Sequence, residues 1–120
     1  MHELSVCQAL VRQVEDIARQ HDAGGVAMIR LRIGPLSGVE PQLLEQAYPF
    51  ACAGTVAEHA ALVIESLPVT VRCRECGAET PALPSRLLCG ACGDWRTTVI
   101  SGDELVLASV ELCVTPAAAT

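Results

Sequence analysis

The sequence predicts an α+β fold: a small mixed sheet with two helices, plus an inserted four-cysteine module. Three observations predict it. In two stretches, apolar residues recur at helical spacing. In three others they alternate with polar residues, the two-residue period of a strand. Between the last two alternating stretches lie two CxxCG repeats, in a segment rich in Cys, Gly and Pro and poor in periodicity.

The elements follow in order. Leu4, Cys7, Leu10, Val11, Val14, Ile17 and Ala18 are spaced for one helix face, with Arg12, Glu15, Asp16 and Arg19 between them. This predicts an amphipathic helix over about residues 4–20. Gly24-Gly25 just beyond it serve as a stop. In VAMIRLRIG, Ile29, Leu31 and Ile33 share one face and Met28, Arg30 and Arg32 the other, which predicts a half-buried strand. GPLSG is a turn. Pro41 suits the first turn of a helix, where its missing N–H has no helical partner to lose. That helix should run over about 41–53, with Leu43, Leu44, Ala47 and Ala51 as its apolar side and Pro49 kinking or shortening it. ALVIESLPVTVR is a strand, broken or bent at Pro68. The last strand, ELVLASVELCV, returns most simply to the first sheet, and PAAAT is expected to fray. Residues 69–104 then form an insertion, reached by crossings near 69–72 and 99–104. Residues 1–68 and 105–120 form the body, a discontinuous domain.

Composition narrows the function. About half of the 120 residues are hydrophobic, enough for an ordered core. Trp95, Tyr48 and Phe50 are the only aromatics, so Leu, Val, Ile and Ala must build that core. The net charge is −6, and all eight basic residues are Arg. Without a Lys, P-loop phosphate binding and Schiff-base chemistry have no amine to use. An acidic chain is a poor partner for nucleic acid, which rewards neutralised phosphates. No apolar run approaches the roughly 18 residues of a membrane span, and no basic-then-apolar leader opens the chain. The expectation is a soluble, cytoplasmic protein with no membrane partner. In that reducing compartment, clustered Cys point to metal before disulfide.

Four of the seven Cys do cluster. Cys73-Arg74-Glu75-Cys76-Gly77 and Cys89-Gly90-Ala91-Cys92-Gly93 are separated by twelve residues between Cys76 and Cys89. Two Cys three apart in a tight turn present both sulfurs to one ion. The Gly after them permits a left-handed turn and lets backbone N–H groups approach the sulfur. Two such knuckles supply four thiolates in a tetrahedron, a closed structural zinc site of the zinc-ribbon, rubredoxin-knuckle type. Iron takes the same ligands, so an electron carrier stays open at this point, as does a zinc ribbon that docks partners. A nucleic-acid ribbon is disfavoured. Residues 69–104 carry four Arg against five Asp/Glu, a divalent ion in four thiolates adds a further −2, and Trp95 is the lone aromatic there. Cys7, Cys52 and Cys113 read as buried core residues. His21 and His59 read as solvated side chains near element ends.

A second candidate set opens the chain. With His at position 2, Met1 is expected to keep its place and its α-amine. That amine, the His2 backbone nitrogen and the His2 ring can close fused chelate rings on one ion, and Glu3 could add a backbone nitrogen or its carboxylate. Deprotonated backbone nitrogens favour square-planar Ni(II) or Cu(II). By itself the tripeptide is a weak signal, since Glu3 also suits the positive end of the first helix.

Taken together, MHELS, the RLRIGPLSGVEP stretch with a helix after it, the CxxC–x12–CxxC pair and the closing SGDELVLASVEL are similar in order and spacing to the HypA/HybF family of hydrogenase nickel-incorporation proteins. The resemblance covers roughly residues 1–114. Two departures are visible: the second knuckle is Cys-Gly-Ala-Cys where the family often has Pro after the first Cys, and Lys is absent. Neither touches a ligand. The resemblance implies a metallochaperone rather than an enzyme. It implies weak Ni(II) binding through Met1, His2 and Glu3, and structural Zn(II) on Cys73, Cys76, Cys89 and Cys92. It implies a HypB-type GTPase and the [NiFe]-hydrogenase large subunit as partners. Because some members also serve urease, it extends to urease accessory proteins. A monomer or a homodimer is compatible with it.

Overall fold

The computed structural model describes residues 3–113. The order is α1 (Glu3–Gln20), β1 (Gly25–Ile33), α2 (Pro41–Cys52), β2 (Ala61–Ser66), β3 (Val69–Cys73), β4 (Glu79–Ala82), β5 (Thr97–Ser101) and β6 (Leu105–Cys113). Two three-stranded sheets result, one ordered β2-β1-β6 and the other β4-β3-β5. The last strand does return to the first sheet. The break at Pro68 is complete, because the strands on either side of it belong to different sheets.

The chain divides into two compact units. The first holds α1, α2 and the parts of β1 up to Leu31, of β2 up to Ile64 and of β6 from Leu107. The second holds Arg32–Val39 and Glu65–Val106. In the first, α1 buries Cys7, Leu10, Val11, Val14 and Ala18, while β1 buries Val26, Ile29 and Leu31. Leu4, expected on that stripe, is exposed. α1 ends in a Schellman motif: the Ala23 N–H donates to the Ala18 carbonyl at 2.8 Å and the Asp22 N–H to that of Arg19 at 3.2 Å. The left-handed residue is Asp22, φ 52°, so the stop lies two residues before the Gly pair. Asp tolerates that conformation better than most residues.

α2 corrects a second expectation. Its buried stripe is Leu44, Tyr48 and Cys52; of the expected side, Leu43, Leu44, Ala47 and Ala51, only Leu44 lies on it. Leu43 is exposed and the two alanines are half-buried. The helix carries Pro49 internally and ends three residues later, at Cys52. The Tyr48 hydroxyl donates to the Ala60 carbonyl at 3.2 Å, tying the helix to the loop after it.

In the second unit β3 is central, antiparallel to β4 (Val71↔Thr80) and to β5 (Val71↔Val99). Ile33, Val39, Val69, Val71, Cys73 and Cys89 are the unit's buried apolar residues. Gly34 meets the Gly102–Asp103 backbone so closely that a Cβ there would collide with the Gly102 carbonyl. The Gly34 N–H donates to the Glu104 carbonyl at 2.8 Å and the Leu36 N–H to that of Gly102 at 2.8 Å.

Candidate metal centre

Each knuckle is a short loop closed by two backbone bonds. In the first, the Cys73 N–H donates to the Ala78 carbonyl at 2.9 Å and the Gly77 N–H to the Cys73 carbonyl at 3.1 Å. In the second, Cys89 donates to Asp94 and Gly93 to Cys89, both at 2.9 Å. Gly77 and Gly93 have φ of 76° and 79°. A Cβ would meet nothing within 4 Å at either, so it is the backbone conformation that requires glycine there, not space.

The loops turn backbone donors onto sulfur. The N–H groups of Glu75 and Cys76 both point to Cys73 Sγ at 3.4 Å, and those of Ala91 and Cys92 to Cys89 Sγ at 3.3 and 3.4 Å. Cys73 and Cys89 are buried; Cys76 and Cys92 are exposed. All four sulfurs lie within 4.8 Å of one another. Cys73–Cys92 and Cys76–Cys89 are each 3.6 Å apart. Four thiolates about 2.3 Å from one zinc ion would be separated by about 3.8 Å along a tetrahedron's edges. The donor set and its dimensions therefore suit zinc.

Electrostatics split the four thiols into two kinds. The Cys92 and Ala91 N–H groups pull Cys89 down to about 6. The N–H of Cys76, aided by that of Glu75, lowers Cys73. On Cys92 the Asp94 N–H pulls down, but the Cys73 sulfur, burial and the remaining sulfurs outweigh it and push the thiol up to about 12. Cys76 also ends raised: the Ala78 N–H is overcome by the Cys89 sulfur and burial. Four negative sulfurs at this separation repel one another, so full ionisation calls for a cation at their centre.

Arg96 joins the knuckles, which the sequence reading missed. Its guanidinium reaches Glu75 Oε1 of the first at 2.8 Å and Asp94 Oδ2 of the second at 2.9 Å. Hydrogen bonds from the Arg96 side chain and backbone N–H, with its charge, hold Asp94 down at about 2. Thr80 of β4 also serves the second knuckle, accepting from the Gly90 N–H at 2.8 Å. No periodic signal marks either contact.

The structure thus brings Cys73, Cys76, Cys89 and Cys92 together. Of the opening tripeptide, Met1 and His2 lie outside the described residues. Glu3 is the first residue of α1, half-buried, and its Oε2 accepts from the Glu40 N–H at 3.4 Å. His21 and His59 are exposed, as expected. Cys7 and Cys52 are buried, but Cys113 is exposed, against expectation. Its strand β6 is an edge strand, and covering on its free side does not follow from a strand pattern.

A model of the family described as "Hydrogenase/urease nickel incorporation, metallochaperone, hypA" matches residues 1–112. The hydrogenase maturation factor HypA of Nitrosospira multiformis is 53% identical over 115 residues, covering 96% of this chain and 100% of that one. The Aquifex aeolicus HypA is 43% identical over 112 residues, covering 93% and 97%. The solution structure of the Ni metallochaperone HypA from Helicobacter pylori is similar in fold, with a TM-score of 0.71 at 26% identity over 96% of this chain and 100% of that one.

Proposed function

The chain belongs to the HypA family of hydrogenase and urease nickel-incorporation metallochaperones, and from that premise we propose how it keeps two metals apart. It is a nickel metallochaperone of hydrogenase maturation, with a four-cysteine cluster suited to structural zinc. In our reading zinc is resident on Cys73, Cys76, Cys89 and Cys92, and what it supplies is folding free energy for the module of residues 69–104. Nickel is cargo. It is held in the body, 1–68 and 105–120, by the Met1 amine, the His2 backbone nitrogen and the His2 ring, with Glu3 completing the set.

The observation that carries this division is closure of the cage. Four sulfurs within 4.8 Å of one another would fill every vertex around a tetrahedral ion. A cargo that must be handed on needs donors that can open one at a time, and an amine and an imidazole at a chain end can do so. Square-planar geometry from backbone nitrogens suits Ni(II). Delivery is to the [NiFe]-hydrogenase large subunit, with a HypB-type GTPase supplying the energy step and urease as a second client. The protein itself performs no catalysis, binds no nucleic acid and works in the cytoplasm. No helix among the described residues is long and apolar enough to cross a membrane. Nothing observed favours a zinc module without metal transfer.

Calorimetry on the zinc-loaded protein tests this. It should show one Ni(II) bound per chain, and His2→Ala should lose it while zinc content stays whole. Full nickel binding by the variant would refute the assignment.

A further inference from the structure

α2 begins without a cap of its own. Its N-cap residue is Glu40, with φ −87° and ψ 116°, and no side chain caps the helix; Pro41 follows as the first helical residue. In a capping box, a Glu or Gln at the third helical position reaches back to the N-cap N–H. Here that position is Leu43, which has no acceptor to offer. The missing acceptor comes from another helix: Glu3 Oε2 takes the Glu40 N–H at 3.4 Å, across 37 residues of chain.

A second contact repeats the first one turn further along both helices. Cys7, four residues after Glu3, donates its S–H to the carbonyl of Leu44, four residues after Glu40, at 3.5 Å. Both residues are fully buried. The shared four-residue step fixes the first turn of α1 along and around its axis relative to α2. The Cys7 thiol is pushed up to about 11, by burial first, then by Cys52, then by the Glu3 charge, which places the carboxylate on this same face.

We infer that Glu3 is a positioning residue: its carboxylate caps α2 in trans and anchors the first turn of α1, so that the carboxylate serves the nickel site without itself being a ligand. The inference rests on the reading that nickel is held where the chain enters α1. The first N–H groups of a helix have no partner within it. The Glu3 backbone nitrogen is therefore spare while its side chain is engaged. Glu3 is then a fixed point, and a ligand set built on it spends less freedom on closing around the ion.

The test compares Glu3→Ala and Glu3→Gln in full-length, zinc-loaded protein. A glutamine oxygen still accepts the Glu40 N–H; alanine cannot. Hydrogen exchange of the Glu40 amide, measured without nickel, should speed up in Glu3→Ala and stay near wild type in Glu3→Gln. Ni(II) affinity should fall about five- to tenfold in Glu3→Ala, the loss of one cap, and within about twofold in Glu3→Gln. The d–d absorption of bound nickel should keep its position in all three proteins. Two outcomes overturn the inference: a Glu40 amide indifferent to both variants, or Glu3→Gln losing as much nickel affinity as Glu3→Ala with a shifted absorption band, which makes the carboxylate a ligand. If His2→Ala keeps its nickel, the nickel assignment itself fails, and the nickel-free Glu40 exchange still decides the cap.

Discussion

Cys7 and Cys113 are both free thiols in regular elements, and they should behave as opposites. Cys7 is buried, and burial above all pushes it up to about 11 from an ordinary 9.0. Burial likewise raises Cys52. Cys113 is exposed. In native, zinc-loaded protein at pH 8, iodoacetamide should label Cys113 and spare Cys7 and Cys52, as peptide mass spectrometry can show. The same shifts set an alkaline limit. Thiols raised by folding ionise first in the unfolded chain, so their contribution is whole below pH 9 and is lost as pH climbs through 11. The urea midpoint should fall across that window. The knuckle glycines give a third residue-level expectation. Gly77→Ala or Gly93→Ala forces a Cβ into the left-handed region at roughly 1–2 kcal/mol, and chelators should strip zinc faster from either variant.

At the scale of elements, helices and strands were legible where a period exists. α1, β1, α2, β2, β3 and β6 all form where their patterns place them, although β2 is not buried on alternate residues. The rotation of α2 was not legible. Leu43–Ala47–Ala51 and Leu44–Tyr48–Cys52 are both apolar stripes at four-residue spacing, and only packing chooses between them. Leu44→Ala should therefore cost about 2–5 kcal/mol in urea unfolding, and Leu43→Ala no more than about 0.5 kcal/mol. The strands β4 and β5 left no pattern to find. ETPA is four residues with a Pro, and TTVIS is only half-buried; each is defined by pairing with β3 rather than by burial. With so little apolar material, the second sheet should depend on its metal. Removing zinc, or Cys76→Ser, should abolish hydrogen-exchange protection of the β3–β5 amides.

Over the whole molecule, the clustering of Cys73, Cys76, Cys89 and Cys92 could be read from spacing alone, because two sulfurs three residues apart are a local fact. The contacts that support function could not. Arg96 bridging Glu75 to Asp94, and Glu3 capping Glu40, join residues that no period relates. They exist only once the chain has folded. The proposed separation of metals is likewise a property of the whole chain: resident zinc and travelling nickel use separate donors, a closed cage for one and an opening chain end for the other. The most direct test is nickel binding by zinc-loaded protein carrying two extra residues ahead of Met1. That addition removes the Met1 amine from reach and leaves all four cage cysteines untouched. That separation predicts full zinc content and an unchanged melting temperature, with nickel binding lost. Undiminished nickel affinity in the extended protein would contradict it.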